Sequence, residues 1–249
     1  MPKLDKFTLG CDPELICRMD GKPVAANRFF KSNSSFGLDG NSYTAELRPG
    51  FDESPIDMTA KIYQILEYGH SKNKNVELYS GHYVDDHCIG GHIHFGLKYN
   101  DELLKNIDAI LFAFSDCIDD LEQRKQRMSG GHYGKRRAYR EKGYGGFEYR
   151  TPGSWLLSPA ITNAVFSLSK LTVVNYYEKN KNFVRLYDET IDKNQGKKQD
   201  QISYAFIKSL KEHFEIIPED CSVGLEHAII LLDKKIDWNS NIIKNWGIE

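Results

Sequence analysis

The sequence predicts an α+β fold, because two hydrophobic periods occur in separate segments of its 249 residues. Four segments alternate polar and apolar residues with the period of two that is typical of a β-strand; they cover residues 9–16, 43–48, 89–97 and 146–151. Other segments repeat apolar residues at helical spacing behind helix-start signals. With 40% hydrophobic residues, the chain can bury a substantial core around both kinds of element.

Two helices are marked by the same start signal, a serine followed by a proline. Ser54-Pro55 precedes an apolar stripe that ends near Gly69, and Ser158-Pro159 precedes a second stripe. Serine caps the first turn of a helix, and proline suits its first position. Between these two helices, residues 100–127 carry apolar residues at helical spacing. This pattern predicts one long helix there.

A shift in composition divides the chain into a body and a tail. Residues 188–201 are almost entirely polar and predict a surface loop or linker. The body before it, residues 1–187, is rich in glycine and aromatic residues. The tail, residues 202–249, carries helical apolar patches at 202–214 and 224–234. We expect the tail to pack on the body.

Charge and composition exclude several classes of function. The 33 Lys and Arg residues against 35 Asp and Glu residues give a net charge of −2, which disfavours a nucleic-acid partner bound by bulk charge without excluding one. No apolar run approaches the length of a membrane span, and the amino terminus lacks a secretory signal. The five cysteines show no paired spacing that would indicate a disulfide framework or a zinc ribbon. We therefore expect a cytoplasmic protein.

Each predicted strand carries two ionisable residues separated by one residue, which places both on one face of a sheet. The pairs are Asp12 and Glu14, Glu46 and Arg48, His92 and His94, and Glu148 and Arg150. A wet outer face would explain any single pair, but such a face would favour Thr, Lys, Gln and Ser. Carboxylates with one or two imidazoles suit a divalent cation. Because oxygen ligands predominate, Mg²⁺ or Mn²⁺ fits better than Zn²⁺.

A basic loop leads into the fourth strand. Residues 130–150 contain many glycines and tyrosines together with Lys135, Arg136, Arg137, Arg140 and Lys142. A solvated loop and a nucleic-acid patch are both consistent with this string. A clamp on a polyphosphate is the third interpretation, and the position of the loop beside the predicted metal face favours it. The neighbouring His82, His87 and His132 are interpreted as surface or hydrogen-bonding residues.

Five motifs in order, GCDPEL, DGNSYTAELRP, GGHIHFG, YGKRRAYR and YGGFEYRTPGSW, resemble those of the phage-type carboxylate-amine ligases. These are amidoligases of type 2, within the glutamine synthetase and glutamate-cysteine ligase fold superfamily. The resemblance covers about residues 10–155. It implies a curved antiparallel sheet flanked by helices, whose concave catalytic face binds ATP with Mg²⁺ or Mn²⁺. Residues 1–187 would then be an amidoligase-like catalytic domain, in the host cytoplasm if the protein is encoded by a phage.

The resemblance also implies roles for individual residues. Metal ligands would be Asp12, Glu14, Glu46, His92, His94 and Glu148, with Asp12 standing where the larger superfamily usually has a glutamate. Groups facing the ATP phosphates would be Lys135, Arg136, Arg137, Arg140 and Arg150. Among these sets, Glu148, Arg140 and Arg150 would be catalytic.

The implied reaction joins a small-molecule or peptide carboxylate to an amine. The carboxylate would take the γ-phosphoryl group of ATP, and the amine would then displace phosphate from the acyl phosphate to give an amide or isopeptide bond. Two other functions are consistent with the residues. One is a zinc metallohydrolase that uses His92, His94 and a carboxylate to activate water. The other is a non-catalytic phage protein that binds nucleotide.

Overall fold

Antiparallel strands and helices alternate along the computed structural model, which describes residues 6–131 and 133–248. The strands within these residues are β1 Leu9–Cys11, β2 Glu14–Met19, β3 Lys22–Val24, β4 Phe36–Leu38, β5 Thr44–Leu47, β6 Phe51–Asp52, β7 Glu77–Tyr79, β8 Tyr83–Val84, β9 His87–Cys88, β10 Ile93–Phe95, β11 Tyr139–Glu141 and β12 Phe147–Tyr149. The helices are α1 Pro55–Lys72, α2 Asp101–Ile118, α3 Leu121–Ser129, α4 Pro159–Lys179, α5 Phe183–Lys193, α6 Gln199–His213, α7 Glu219–Leu231 and α8 Ile242–Asn245. The predicted α+β class is confirmed.

The strands form two curled antiparallel sheets and one hairpin. The first sheet has the order β11-β12-β10-β1-β6, and the second has the order β3-β2-β5-β4 with β7 on the other edge of β2. Backbone hydrogen bonds join the sheets where the chain crosses between them, from Glu14 N to Gly90 O at 2.9 Å and from Leu47 N to Pro13 O at 3.0 Å. The two sheets therefore share one continuous curled surface.

The prediction of a single strand over residues 9–16 is wrong, because the chain changes sheets within it. β1 ends at Cys11 and β2 begins at Glu14. Pro13 has no N–H to give to a ladder, and its ring restricts the backbone of the residue before it. Asp12 and Glu14 consequently reach the same cleft from two different sheets.

In the first sheet the predicted alternation of faces is confirmed. His94 pairs with Glu148, and Glu148 pairs with Arg140, so these three residues form one row across the strands. The intervening residues Ile93, Phe95, Phe147 and Tyr149 are 0% exposed and belong to the main hydrophobic core. One face of the sheet is thus apolar and the other carries the ionisable groups.

The two serine-proline signals do begin helices, but the third prediction is wrong. Ser54 caps α1 by accepting a hydrogen bond from Asp57 N, and Ser158 caps α4 in the same way through Ile161 N. Residues 100–127 form two helices, since Asp120 starts α3 by accepting hydrogen bonds from the backbone N–H groups of Glu122 and Gln123. A capping carboxylate at this point competes with continuation of the preceding helix.

The polar stretch 188–201 is helical at both ends. α5 extends to Lys193 and α6 begins at Gln199, so a loop covers only residues 194–198. Composition missed α5 because only one side of it meets the core, through Phe183 and Tyr187. The apolar residues of α6, α7 and α8 belong to the same hydrophobic core as those of the sheets. No helix among the described residues has the length and apolar character required to cross a bilayer.

Buried polar groups fix the tail to the body. The indole N–H groups of Trp238 and Trp246 donate to the carbonyls of Ile118 and Leu156, each at 2.7 Å. The fully buried Asn175 of α4 accepts hydrogen bonds from Glu215 N at 2.9 Å and Ile216 N at 3.0 Å, and it donates to Ile216 O at 2.7 Å. One side chain therefore satisfies three backbone groups of the segment between α6 and α7.

We predict that Asn175→Ala destabilises the protein by about 2–4 kcal/mol, because it leaves buried backbone donors and an acceptor without partners. Urea unfolding followed by circular dichroism measures this change. The exposed Asn33 is the control, and Asn33→Ala should shift the free energy of unfolding by less than about 0.5 kcal/mol. Equal stability of the two variants would contradict the prediction.

Candidate active site

A cleft of about 330 Å³ lies between the ionisable faces of the two sheets. Its lining is polar and comes from five stretches of chain that are distant in sequence. They contribute Asp12, Glu14, Asp39, Asn41, Thr44, Glu46, Arg48, Cys88, Ile89, Gly90, His92, Arg127, Tyr133, Arg140 and Arg150. The side of the cleft formed by the second sheet is rich in carboxyl groups, and the side formed by the first sheet carries Arg140 and Arg150.

The first cluster of candidate metal ligands consists of Asp12, His92 and Glu148, whose ligand atoms all lie within 4.8 Å of one another. His92 Nδ1 lies 3.0 Å from Asp12 Oδ1 and 3.2 Å from Glu148 Oε1. Burial raises the pKa of Asp12, but hydrogen bonds from His92 and His94 outweigh it and hold that pKa below its usual range. Asp12 is therefore a carboxylate at neutral pH.

Three basic side chains surround Glu148 in the first sheet. Its side chain is 0% exposed, and it lies 2.5 Å from Lys142 Nζ, 2.7 Å from Arg140 Nη2 and 3.1 Å from Arg150 Nε. Burial alone would raise the pKa of Glu148, whereas these cations and His92 lower it. The net shift is downward, so Glu148 is charged.

The second cluster consists of Glu14, Asp39 and Glu46, whose ligand atoms also lie within 4.8 Å of one another. Glu14 on β2 stands directly opposite Glu46 on β5 in the ladder, a placement of like charges that destabilises a sheet. Glu14 accepts a hydrogen bond from Gly90 N at 2.7 Å. Glu46 is paired with Arg48 at 2.6 Å.

The carboxyl groups of the second cluster hold their protons tightly. Burial raises the pKa of Glu46 to about 8, with the charges of Asp12 and Asp39 adding to the shift and Arg48 opposing it. Burial and the charge of Asp39 raise the pKa of Glu14 well above its ordinary value. Three crowded carboxyl groups with one cation among them form a donor set that suits a divalent cation. The residues present therefore fit Mg²⁺ or Mn²⁺.

Of the six predicted metal ligands, five belong to these two clusters. The exception is His94, whose Nε2 lies 3.1 Å from Asp12 Oδ2, so it contacts Asp12 from outside either cluster. Asp12 and Glu14, expected as a pair on one strand face, belong to different clusters. The break at Pro13 is the reason.

The basic loop divides into two parts. Arg140 and Arg150 line the cleft, and Lys142 contacts Glu148. Arg136 instead lies 2.8 Å from Asp108 Oδ2 on α2, and Arg137 donates its backbone N–H to the same carboxylate at 2.8 Å. Asp108 is 0% exposed and requires such partners.

Lys135, Arg136 and Arg137, which the resemblance placed at the ATP phosphates, lie apart from the cleft lining formed by the described residues. Lys135 is exposed, and its backbone carbonyl accepts a hydrogen bond from the Thr151 hydroxyl at 2.8 Å. Proximity in sequence to the fourth strand did not suffice to predict the position of these three residues. Arg136 and Arg137 instead contact the buried carboxylate of Asp108 on α2.

Sequence reasoning missed Asp39 and Arg127. Asp39 lies within the motif DGNSYTAELRP, and its aspartate-glycine turn was the available signal. Arg127 lies in the last turn of α3, a helix of mixed polarity, and no local pattern marks it. His82 is a hydrogen-bonding residue as predicted, with Nε2 at 2.6 Å from Asp119 Oδ2, and His87 contacts a backbone carbonyl. The interpretation of His132 falls outside the described residues.

The fold and the cleft define a class of protein: antiparallel α+β, with two carboxylate clusters facing arginines across one concave surface. Over residues 9–248 the chain matches the family model described as phage phiEco32-like COOH.NH2 ligase-type 2, and it belongs to that family. This membership confirms the resemblance and extends it through the tail. It supports a carboxylate-amine ligase. No curated protein sequence is significantly similar to the chain.

The raised pKa of Glu46 predicts a pH-dependent stability in the metal-free protein. Folded Glu46 retains its proton up to about pH 8, whereas the ordinary carboxyl value is 4.5. Its contribution to the free energy of unfolding is complete below the ordinary pKa and is lost as the pH rises through about 8. Urea unfolding in a chelator should therefore show lower stability at about pH 9 than at about pH 6.

Glu46→Gln should weaken this pH dependence, because the amide does not titrate. The exposed Glu226 supplies the control, and Glu226→Gln should behave as the wild type does. Adding Mg²⁺ at the higher pH should restore stability to the wild type. A wild-type profile that is flat over this range would contradict the assignment of the titration to Glu46.

Proposed function

We propose that this protein is an ATP-dependent carboxylate-amine ligase that uses Mg²⁺ or Mn²⁺ and forms an amide or isopeptide bond through an acyl phosphate. One observation carries the proposal: two carboxylate clusters and two arginines converge on a single cleft. Anionic ligands for cations and cationic groups for phosphoryl oxygens are both needed where an anionic nucleophile meets a triphosphate. Membership in a family of carboxylate-amine ligases supports the same reaction.

The cation ligands would be Asp12, His92 and Glu148 in one cluster and Glu14, Asp39 and Glu46 in the other. A divalent cation bound there supplies charge neutralisation between the carboxylate and the phosphoryl group. Glu14 and Glu46 would lose their protons on binding it, which couples metal affinity to pH. His94 would hold Asp12 in position through its second carboxylate oxygen.

Arg140 and Arg150 would bind the phosphoryl oxygens of ATP. Arg140 uses Nε and Nη2 on Glu148, and a guanidinium with five N–H groups has further donors to offer. Its side chain is 53% exposed, so these donors are accessible from the cleft. Because Glu148 holds the arginines in place before the nucleotide arrives, little reorganisation is needed for them to stabilise the transferring group.

The reaction would proceed in two displacements. A carboxylate oxygen of the first substrate attacks the γ-phosphorus, and the bond from that phosphorus to the bridging oxygen of ADP breaks. The amine nitrogen of the second substrate then attacks the acyl carbon, loses a proton, and expels inorganic phosphate. The proposed substrates are a small-molecule or peptide carboxylate and an amine, and the proposed compartment is the cytoplasm.

The geometry gives less support to a zinc hydrolase. Such an enzyme would use both histidines of the His-x-His strand as ligands, yet only His92 belongs to a cluster of candidate ligand atoms. A non-catalytic nucleotide-binding protein would bind ATP without releasing ADP. Both alternatives give distinct outcomes in the experiments that follow.

Glu148→Gln should weaken Mg²⁺-dependent ATP binding at least about tenfold and abolish ADP release, because the amide neither binds a cation well nor orients the arginines. Isothermal titration calorimetry with Mg²⁺-ATP, Mg²⁺ alone and Zn²⁺ alone measures the first effect. The control is Glu141→Gln on the neighbouring strand, whose side chain is exposed. Tight Zn²⁺ binding without an ATP response would indicate the hydrolase instead. ADP release at the wild-type rate by Glu148→Gln, with carboxylates and amines supplied, would contradict the proposal.

Two arginines of the same loop provide a matched comparison. Arg140→Ala should lower Mg²⁺-ATP affinity about tenfold or more, with a smaller effect on the melting temperature. Arg136→Ala should leave ATP affinity unchanged and lower the melting temperature, because it deprives buried Asp108 of a partner. Calorimetry and thermal unfolding distinguish the two. An equal loss of ATP affinity in both variants would contradict the division of the loop.

A further inference from the structure

A buried arginine in the floor of the cleft has no role in the chemistry described so far. Arg127 ends the last full turn of α3, is 1% exposed, and lines the cleft beside Gly90 and Cys88. Its Nη1 donates to the carbonyl of Thr151 at 2.7 Å. Its Nε is buried and has no hydrogen-bond partner among residues 6–131 and 133–248.

Among the described residues, no carboxylate forms an ion pair with Arg127. Arg124, one turn earlier on the same helix, shows the contrast, because it pairs with Asp116. Arg124 is thereby neutralised within the fold. The carboxyl groups of Glu14 and Asp119 interact with Arg127 only from beyond ion-pairing distance.

The space in front of Arg127 is kept clear by Gly90. A Cβ at this position would lie 2.7 Å from His92 Nε2 and 3.3 Å from Arg127 Nη2, so any side chain would fill the gap between them. Arg150 also lines the cleft, and its positive charge repels that of Arg127. Two cations therefore converge on an open space beside the histidine of the first cluster.

A buried guanidinium that lacks an anionic partner destabilises the fold. Its retention is explained if the partner comes from outside the protein. The charge, the forked donors and the position between the two carboxylate clusters suit a group with two or three oxygens. A cation or an apolar ligand would leave Arg127 without an anionic partner.

We propose that Arg127 binds a substrate oxyanion in the floor of the cleft, either the carboxylate to be activated or the phosphoryl group that it receives. The identity of this anion rests on the proposed ligase function, but its binding does not. Arg127 contributes the forked donor, and Arg150 adds charge from the adjacent strand end. Gly90 leaves the room that the anion occupies.

The test uses acetate and inorganic phosphate as probes with Mg²⁺ present. Melting temperature and calorimetric affinity are measured for the wild type, Arg127→Met and Arg127→Lys, with Arg28→Met as the control at an exposed arginine. At least one probe should raise the melting temperature of the wild type and of Arg28→Met. Arg127→Met should bind that probe at least about tenfold more weakly, and Arg127→Lys should be intermediate.

The stability of the anion-free protein separates this role from a structural one. Arg127→Met should melt at the wild-type temperature or above it, because an unpaired buried charge is removed. A response to acetate alone identifies the carboxylate site, and a response to phosphate alone identifies the phosphoryl site. A response to both identifies a shared oxyanion site.

Three results would overturn the proposal: wild type that binds neither probe, Arg127→Met that binds them as the wild type does, or anion-free Arg127→Met that is strongly destabilised. Arg127→Lys supplies a second test, since unchanged probe affinity in that variant also overturns the proposal. Failure of the wild type to bind Mg²⁺-ATP, with the anion response intact, would contradict the ligase function and leave this inference standing.

Discussion

The passage of the chain from one sheet to the other at Pro13 is the constraint on which the rest of the cleft depends. Because proline interrupts the ladder, residues on either side of it join different sheets, and the curled surface between those sheets becomes concave. Carboxylates that one flat strand would hold side by side instead face each other across a space. The helices and the tail then cover the apolar side of both sheets.

The electrostatics of the cleft follow from this geometry. In the first sheet, basic side chains lie beside Glu148, so its pKa is lowered and its carboxylate is charged. The second sheet sets Glu14 against Glu46, with Arg48 as the nearby cation, so carboxyl pKa values rise there. The carboxylate of the first sheet is thus neutralised by basic side chains, whereas Glu14 and Glu46 of the second sheet hold their protons more tightly. Burial is common to both sides of the cleft, so the difference lies in the partners.

The sequence predicted much of this arrangement, because alternation along a strand is a local property. The polar positions of His94 and Glu148 follow from period-two spacing, whereas their pairing with each other and with Arg140 depends on strand register that the sequence alone did not predict. The division of residues 100–127 at Asp120 was also signalled locally, by a capping residue that the apolar stripe obscured. Arg136 could not be placed, since its partner Asp108 lies on a distant helix. The position of Arg127 likewise depends on where α3 packs, and the neighbouring sequence does not indicate this.

The cleft is assembled from segments near residues 12, 40, 90, 127 and 145, so its contacts are almost all non-local. Chains with such contacts close long loops before those contacts form, and they fold slowly. The acidic half comes from the first third of the chain, whereas the basic strands that neutralise Glu148 come much later. During synthesis, the crowded carboxyl groups of the second sheet therefore emerge before any of the cleft arginines beyond Arg48. A nascent chain that ends before Arg127 therefore carries the carboxyl groups of the second sheet with Arg48 as the one cleft arginine already synthesised.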